Sequence, residues 1–480
     1  VSPAMWQSRH RFAGTLALPF LLLAIPTQAL AHAGDRAHIM ILPTGYYLVG
    51  GALAVAASFI LLALVPPGPL DRWVRARARL FALPEWPRLP ASTLVFLFVL
   101  FLIFVGFAGS RDPLSNPLPL IVWTVFWVGL TLVQGVFGNV WWWLNPLYAP
   151  WRLVALLRGS DQPLVRLPQR LAYWPAILLF LGFAWFELVY PAPDDPERLA
   201  WALMAYLAFN TLATIIFGYE DWTRRGECLS VFLGMIARMG IVEKGEPDAT
   251  GRRPLKLCMP GAKLATADPL PLTGAAFLLL ALSTVSFDGL LLTFFWLATI
   301  GVNPLEFPGR TDVMWPNTLG LLLMFALLAG AFFCSVAMGE RLAGPKRPFA
   351  EVAGRLVWSI IPISLVYHFA HYLGALLVDG QYALAALSDP LMRGWDLFGT
   401  AGMHVQAGLV LGARATWVFW NIQAGAIIVG HLVAIAMAHV IAWRIHGNAR
   451  DAAMSQILLA ALMVFYTAFG LWLLSSPTAG

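Results

Sequence analysis

Apolar runs of about twenty residues, separated by short polar joints, recur along the chain from residue 44 to residue 475. A helix of about 20 mostly apolar residues crosses the hydrocarbon core of a bilayer, so each run predicts a spanning helix. Ten are expected, at about 44–65, 93–109, 118–138, 172–190, 199–218, 270–288, 318–339, 356–378, 418–442 and 454–475. The run at 290–300 is too short to cross and is expected at the surface or as a re-entrant segment. Proline and glycine mark the joints, as in Pro66-Pro67-Gly68-Pro69 and Pro191-Ala192-Pro193. The pattern therefore predicts an all-α integral membrane protein, a bundle of about ten transmembrane helices.

The apolar run before these has a different character. Arg9, His10 and Arg11 precede an apolar stretch at residues 13–25, and Ala29-Leu30-Ala31 has the small residues of a cleavage site. That combination reads as a secretory signal peptide over residues 1–31, leaving a polytopic domain at 32–480. Cleavage after Ala33 and an uncleaved anchor are the alternatives.

Charge gives the helices a direction. With the mature N-terminus outside, the inner loops hold Arg72, Arg75, Arg77, Arg79 and Arg88, then Arg152, Arg158, Arg166 and Arg170. The long 219–269 loop adds Arg224, Arg225, Arg238, Lys244, Arg252, Arg253, Lys256 and Lys263. Arg341, Lys346, Arg347 and Arg355, then Arg444 and Arg450, complete the inner set. The outer segments hold only Arg36, Arg111, Arg198, Arg310, Arg393 and Arg414. Basic residues favour the cytoplasmic side, so both mature termini are expected in the periplasm of a bacterium, with the chain in its cytoplasmic (inner) membrane.

Composition agrees with a lipid solvent. The chain is 59% hydrophobic and 12% charged, against about 25% charged in soluble domains. The net charge of +6 lies in the joints between spans, which makes it a topology signal and argues against nucleic acid as a partner. Cys228, Cys258 and Cys334 offer no disulfide framework, although Cys228 and Cys258 share the inner side. Ten spans divide into five and five, the count of an inverted-repeat transporter. Leu42-Pro43-Thr44-Gly45 with Ser58-Phe59 is echoed by Leu270-Pro271-Leu272-Thr273-Gly274 with Ser286-Phe287.

Titratable groups inside these runs are the candidate chemistry, because an ionisable side chain in hydrocarbon is costly without a partner or a task. His368 and His371 share one helix face, and His431 and His439 lie on the next span. Counting 1.5 Å per residue puts His368 and His431 at similar depth on antiparallel neighbours. Three roles remain open for them: interhelical hydrogen bonds, ligation of a haem b by His368 and His431, or a proton relay. Glu187, Asn210 and Asp379 join the four histidines as relay candidates, and Asp288 ends its span as an interface carboxylate. His32 with His38, and His371 within the bundle, are candidate metal ligands, the exported His32 suiting copper. Among the loops, Asn139-Val140-Trp141-Trp142-Trp143 reads as an aromatic belt and 222–240 as an amphipathic surface helix. In the 379–417 segment, a Trp and a Phe between turns read as an interfacial cap over the bundle, in which Asp389, Arg393 and Asp396 have the charges to pair with each other or to bind a polar ligand.

Phe186-Glu187-Leu188-Val189, the stretch Trp222 to Val231 and the stretch Ser388 to Thr400 resemble a family of bacterial polytopic inner-membrane proteins of about ten spans. The resemblance implies the class and carries no activity, ligand or site. No Walker A, GxGxxG, HExxH or CxxC motif occurs, which leaves ATP hydrolysis, dinucleotide binding and zinc hydrolysis without support. The sequence points away from an enzyme. It favours a secondary transporter or permease of a small solute or ion. A redox or metal-handling subunit, carrying haem b or copper beside a periplasmic protein, is the alternative.

Overall fold

The computed structural model describes residues 44–64, 67–84, 87–248, 252–344, 346–409 and 412–479. The expected signal peptide and the candidate ligands His32 and His38 lie outside the described residues. The principal helices are α1 (Thr44–Leu64), α2 (Arg88–Ala108), α3 (Pro117–Phe137), α4 (Trp174–Leu188), α5 (Pro196–Phe217), α6 (Leu272–Leu291), α7 (Met314–Ala343), α8 (Phe349–Ser388), α9 (Ala413–His446) and α10 (Ala449–Ser475). All but α4 are long and apolar enough to cross a bilayer, nine among the described residues. Helix α4 has 15 residues, about 22 Å, which is short of a full hydrocarbon core. The 290–300 run forms a helix of six residues, Phe294–Thr299.

Contacts between joints sort into two ends. At the basic end, Arg444 reaches Asp71 and the Ala265 carbonyl, Trp358 reaches the Asp268 carbonyl, and Lys346 reaches Asp451. At the opposite end, Arg111 pairs with Asp195, Arg310 bonds the Glu187 carbonyl, and Thr293 bridges Thr478. Helix α4 joins the two, with Tyr173 beside Thr273 at its start and Trp185 bonded to Thr318 near its finish. Local sequence sets the helix ends. Asp195 caps α5 by accepting from the Arg198 amide, with Pro196 in the first turn. Gly447 takes the left-handed conformation that turns α9 into α10, and Asn448 caps the new helix.

Helix α6 sits at the centre and is largely buried, whereas α1 is peripheral. Its small residues let neighbours approach, and its hydroxyls bond back to its own carbonyls, Ser283 and Thr284 to Leu280 and Ser286 to Leu282. The proposed repeat pairs α1 with α6, and the contrast in burial lends that pairing no support. A main core spans α3, α4 and α6–α10. A second, smaller core forms where α2 and α5 pack together with the start of α3.

Three features depart from the sequence reading. A small antiparallel sheet, β1 (Arg77–Pro84), β2 (Val242–Lys244) and β3 (Arg252–Cys258) in the order β1-β3-β2, ties two basic joints together. The 222–240 stretch is not a surface helix. Its segment Cys228–Ile236 inserts into the bundle, with Phe232, Leu233 and Ile236 buried in the main core. A helix apolar on nearly every side belongs inside, and the charges that suggested a surface lie beyond its ends. Finally, Leu120–Leu130 within α3 winds as a π-helix, a rare form that is frequent at functional sites.

Asp71 gives the basic end a pH dependence. Desolvation pushes its carboxyl up, but hydrogen bonds and charge from Arg75 and Arg444 outweigh this and hold it below the ordinary value of 3.8. A depressed carboxyl contributes stability that is present above its unfolded value and lost as pH falls through the folded one. Thermal melting in detergent should therefore show stability falling on acidification below the ordinary carboxylate range. Asp71→Asn should lose that part of the slope and about 2 kcal/mol at neutral pH.

Candidate functional site

Four polar side chains from α4, α6 and α8 meet near the end opposite the basic joints. Asp288, one turn before the end of α6, accepts from His371 Nε2 at 2.8 Å and from the Tyr372 hydroxyl at 2.6 Å, both on Oδ2. The same hydroxyl lies 3.3 Å from Glu187 Oε1 on α4. Glu187 Oε2 is buried with no partner. Asp288 and His371 keep about a fifth of their side-chain surface, 19% and 22%, so the cluster is packed without being sealed.

The sequence explains the convergence in part. Consecutive residues of a helix point about 100° apart, so His371 and Tyr372 can both reach one carboxylate only if it lies between their directions. Asp288 meets that condition, with ring centroids of His371 and Tyr372 4.7 Å apart. One turn before His371 on the same helix, His368 Nε2 bonds the Trp127 carbonyl at 3.1 Å, and its ring meets the Trp127 indole edge-on at 5.2 Å. Trp127 belongs to the π-helical part of α3. His368 also contacts the Tyr372 ring at 4.8 Å, so the cluster runs on to α3 without a break.

Charged groups surround this cluster on its open side. Arg310 donates to the backbone carbonyls of Glu187 and Tyr190. Asp194, in the joint after α4, reaches water, yet the protein around it withdraws enough solvent to raise its carboxyl, against the pull of Arg310. Asp379, two turns beyond His371 on α8, lies close enough to Asp194 for their charges to interact.

The remaining candidates sit elsewhere. His431 Nδ1 bonds the Ile427 carbonyl of its own helix at 2.9 Å. No hydrogen bond or ring contact joins it directly to His368, whose ring bonds the Trp127 carbonyl instead. Rotation about the helix axes, which depth does not fix, turns them to different partners. His439 is buried with neither ring nitrogen bonded, and His446, the last residue of α9, pairs with Glu340 at 2.9 Å. Asn210 is committed at both ends of its amide, donating to the Tyr206 carbonyl and accepting from Trp222 at 2.9 Å. It ties α5 to the helix Tyr219–Arg225, apart from the cluster. Cys228 lies 3.3 Å from the Tyr206 hydroxyl, while Cys258 donates to the Ile241 carbonyl, so they do not meet. Among the described residues, no group of three His, Cys, Asp or Glu side chains is arranged to hold a metal. Asp389 and Asp396 bind backbone amides of their own loop, Asp389 those of Arg393 and Gly394, Asp396 that of Ala401.

Sequence reasoning picked out Glu187, His368 and His371 but missed Tyr372 and Arg310 and took Asp288 for an interface carboxylate. A signal for Tyr372 was present: a phenol beside a histidine in the middle of an apolar span. The long apolar helices among the described residues fit a multi-pass helical membrane protein. No known protein family, curated protein or solved structure matches the chain.

Proposed function

We propose that the protein is a secondary transporter of the bacterial cytoplasmic membrane that links movement of a small solute or ion to protons. In this reading the chain crosses ten times, α4 included. The basic end faces the cytoplasm and the carboxylate end the periplasm. Glu187, Tyr372, Asp288 and His371 form the proton-handling centre, with His368 continuing it towards α3.

One observation carries the reading: two carboxylates from different helices share a single hydroxyl donor, and one of them also holds a histidine. The Tyr372 proton can face one carboxylate at a time. A proton arriving at Glu187 or leaving His371 changes which arrangement is favoured, and the three helices that supply these groups change their contacts with it. Asp194 and Asp379 would draw cations to the opening, with Arg310 between them and the cluster. Buried nitrogens with no protein partner, on His431, His439 and His446, mark where water would extend a path along α9 towards the basic end.

The test uses purified protein in liposomes loaded with a pH-reporting dye. Inorganic ions, amino acids and small organic acids serve as probe solutes. At least one class should drive proton movement well above that of protein-free vesicles, and His371→Gln should abolish it. If no class moves protons, the transporter reading fails. A haem absorption band or stoichiometric copper in the purified protein would replace it with the metal-handling one.

A further inference from the structure

A cavity of about 700 Å³ lies between the two cores, outside the acid–histidine cluster. On one side stand α2 and α5, which pack on each other, and on the other stand α3 and α4, the latter packed on α6. The volume falls within the range of pockets that enclose a ligand. Its wall is nearly all hydrocarbon: Phe98, Leu102, Leu130, Phe183, Phe186 and Leu203 are typical of it.

The few polar atoms in that wall are already used. Trp123 donates its indole N–H to the Pro193 carbonyl and Trp141 donates to Ser230. The Tyr206 hydroxyl donates to Glu227, whose carboxylate also accepts from the amides of Leu229 and Ser230. A hydrophilic solute entering here would lose its water and gain no hydrogen bond, which excludes sugars, amino acids and hydrated ions. A hydrocarbon chain has nothing to lose. The direction of access agrees. Val125, Leu178 and Phe209 line the cavity and keep much of their surface exposed, at 44%, 64% and 52%. Exposed apolar residues of spanning helices face lipid, so the opening gives onto the bilayer and not onto water.

We infer that this cavity is a specific lipid site, which takes an acyl chain of a bilayer phospholipid inserted sideways among α3, α4 and α5. The inference does not depend on proton-linked transport. It rests on the cavity, the spent polar atoms and the lateral opening. Its consequence is mechanical: the chain fills the gap between the α2–α5 pair and the rest of the bundle, so lipid occupancy sets how closely they approach.

Photolabelling tests it. The full-length protein is placed in vesicles of phosphatidylethanolamine and phosphatidylglycerol that contain a phospholipid with a diazirine on its acyl chain. Labelled peptides are then mapped by mass spectrometry, with α1, which is peripheral, as the reference for ordinary surrounding lipid. Labelling should concentrate on residues 178–186 and 199–209. Gly182→Phe should remove it, because a side chain at Gly182 meets open space and would occupy the cavity. Melting in detergent checks that this variant folds, and Ala202→Phe provides a second filling from the α5 side. Labelling of the cavity no denser than that of α1, or unchanged in both folded variants, overturns the proposal. So does displacement of the phospholipid label by a small excess of free fatty acid, which would assign the site to that ligand.

Discussion

Asp288→Asn should leave the protein folded and lower its proton-linked flux by about 100-fold, the scale on which positioned proton-transfer groups act. The carboxylate accepts from His371 and Tyr372 through the same oxygen. An amide keeps the shape and one acceptor oxygen, but its nitrogen only donates, and it carries no charge to balance a protonated imidazole. Tyr372 is then left with Glu187, at 3.3 Å, as its nearest carboxylate. Asp288→Ala is the harsher change. It strips His371 of its acceptor and leaves Tyr372 only Glu187, and a buried unpaired group costs about 1–3 kcal/mol. The two variants separate function from stability: melting in detergent should fall for Ala and stay close to wild type for Asn, while flux is lost in both. Flux retained in Asp288→Asn would remove this carboxylate from the mechanism.

Gly339→Val should destabilise the bundle by about 3 kcal/mol, the upper end of the usual cost of overpacking. Helices α7 and α10 cross there at backbone distance. A β-carbon on Gly339 would stand 2.0 Å from the Ser455 carbonyl oxygen and 2.8 Å from its carbon. Backbone cannot rotate away as a side chain can, so the helices must separate. The neighbouring Glu340–His446 bond, 2.9 Å long, would loosen with them. Two controls sharpen the reading. Ser455→Gly should give no rescue, because the obstacle is a carbonyl and not the serine side chain. Gly330→Ala, on the same helix, should cost little, since a β-carbon there meets open space. Thermal melting of the four proteins in one detergent decides the matter.

Much of the fold was legible because the bilayer imposes one rule on every span. Apolar length alone located the nine long helices, and the arginines of the joints grouped the ends that the contacts at Asp71, Asp268 and Asp451 bring together. What failed was whatever depends on partners distant in sequence. The strand Arg77–Pro84 pairs with residues more than 160 positions later, and nothing in Arg-Ala-Arg-Leu announces them. The Cys228–Ile236 helix was misplaced because its flanking arginines were read as part of its face. Glu187 and His371 stood out as charges in hydrocarbon, yet Asp288, three residues from the end of its helix, looked like a solvated terminus. Its bonds to His371 and Tyr372 follow only from α6 being the central helix, which no single span reveals. The apolar cavity was invisible for the opposite reason: its walls are the same leucines and phenylalanines that face lipid everywhere else.

The claim that the Glu187–Tyr372–Asp288–His371 cluster handles protons is tested most directly by one comparison in proteoliposomes. A pH gradient is imposed across vesicles holding wild-type protein or Asp288→Asn, in the presence of the solute that supports flux, and its decay is followed with an internal pH dye. The account predicts rapid decay with wild type and decay at the rate of protein-free vesicles with the folded variant. Equal rates for wild type and Asp288→Asn would contradict it.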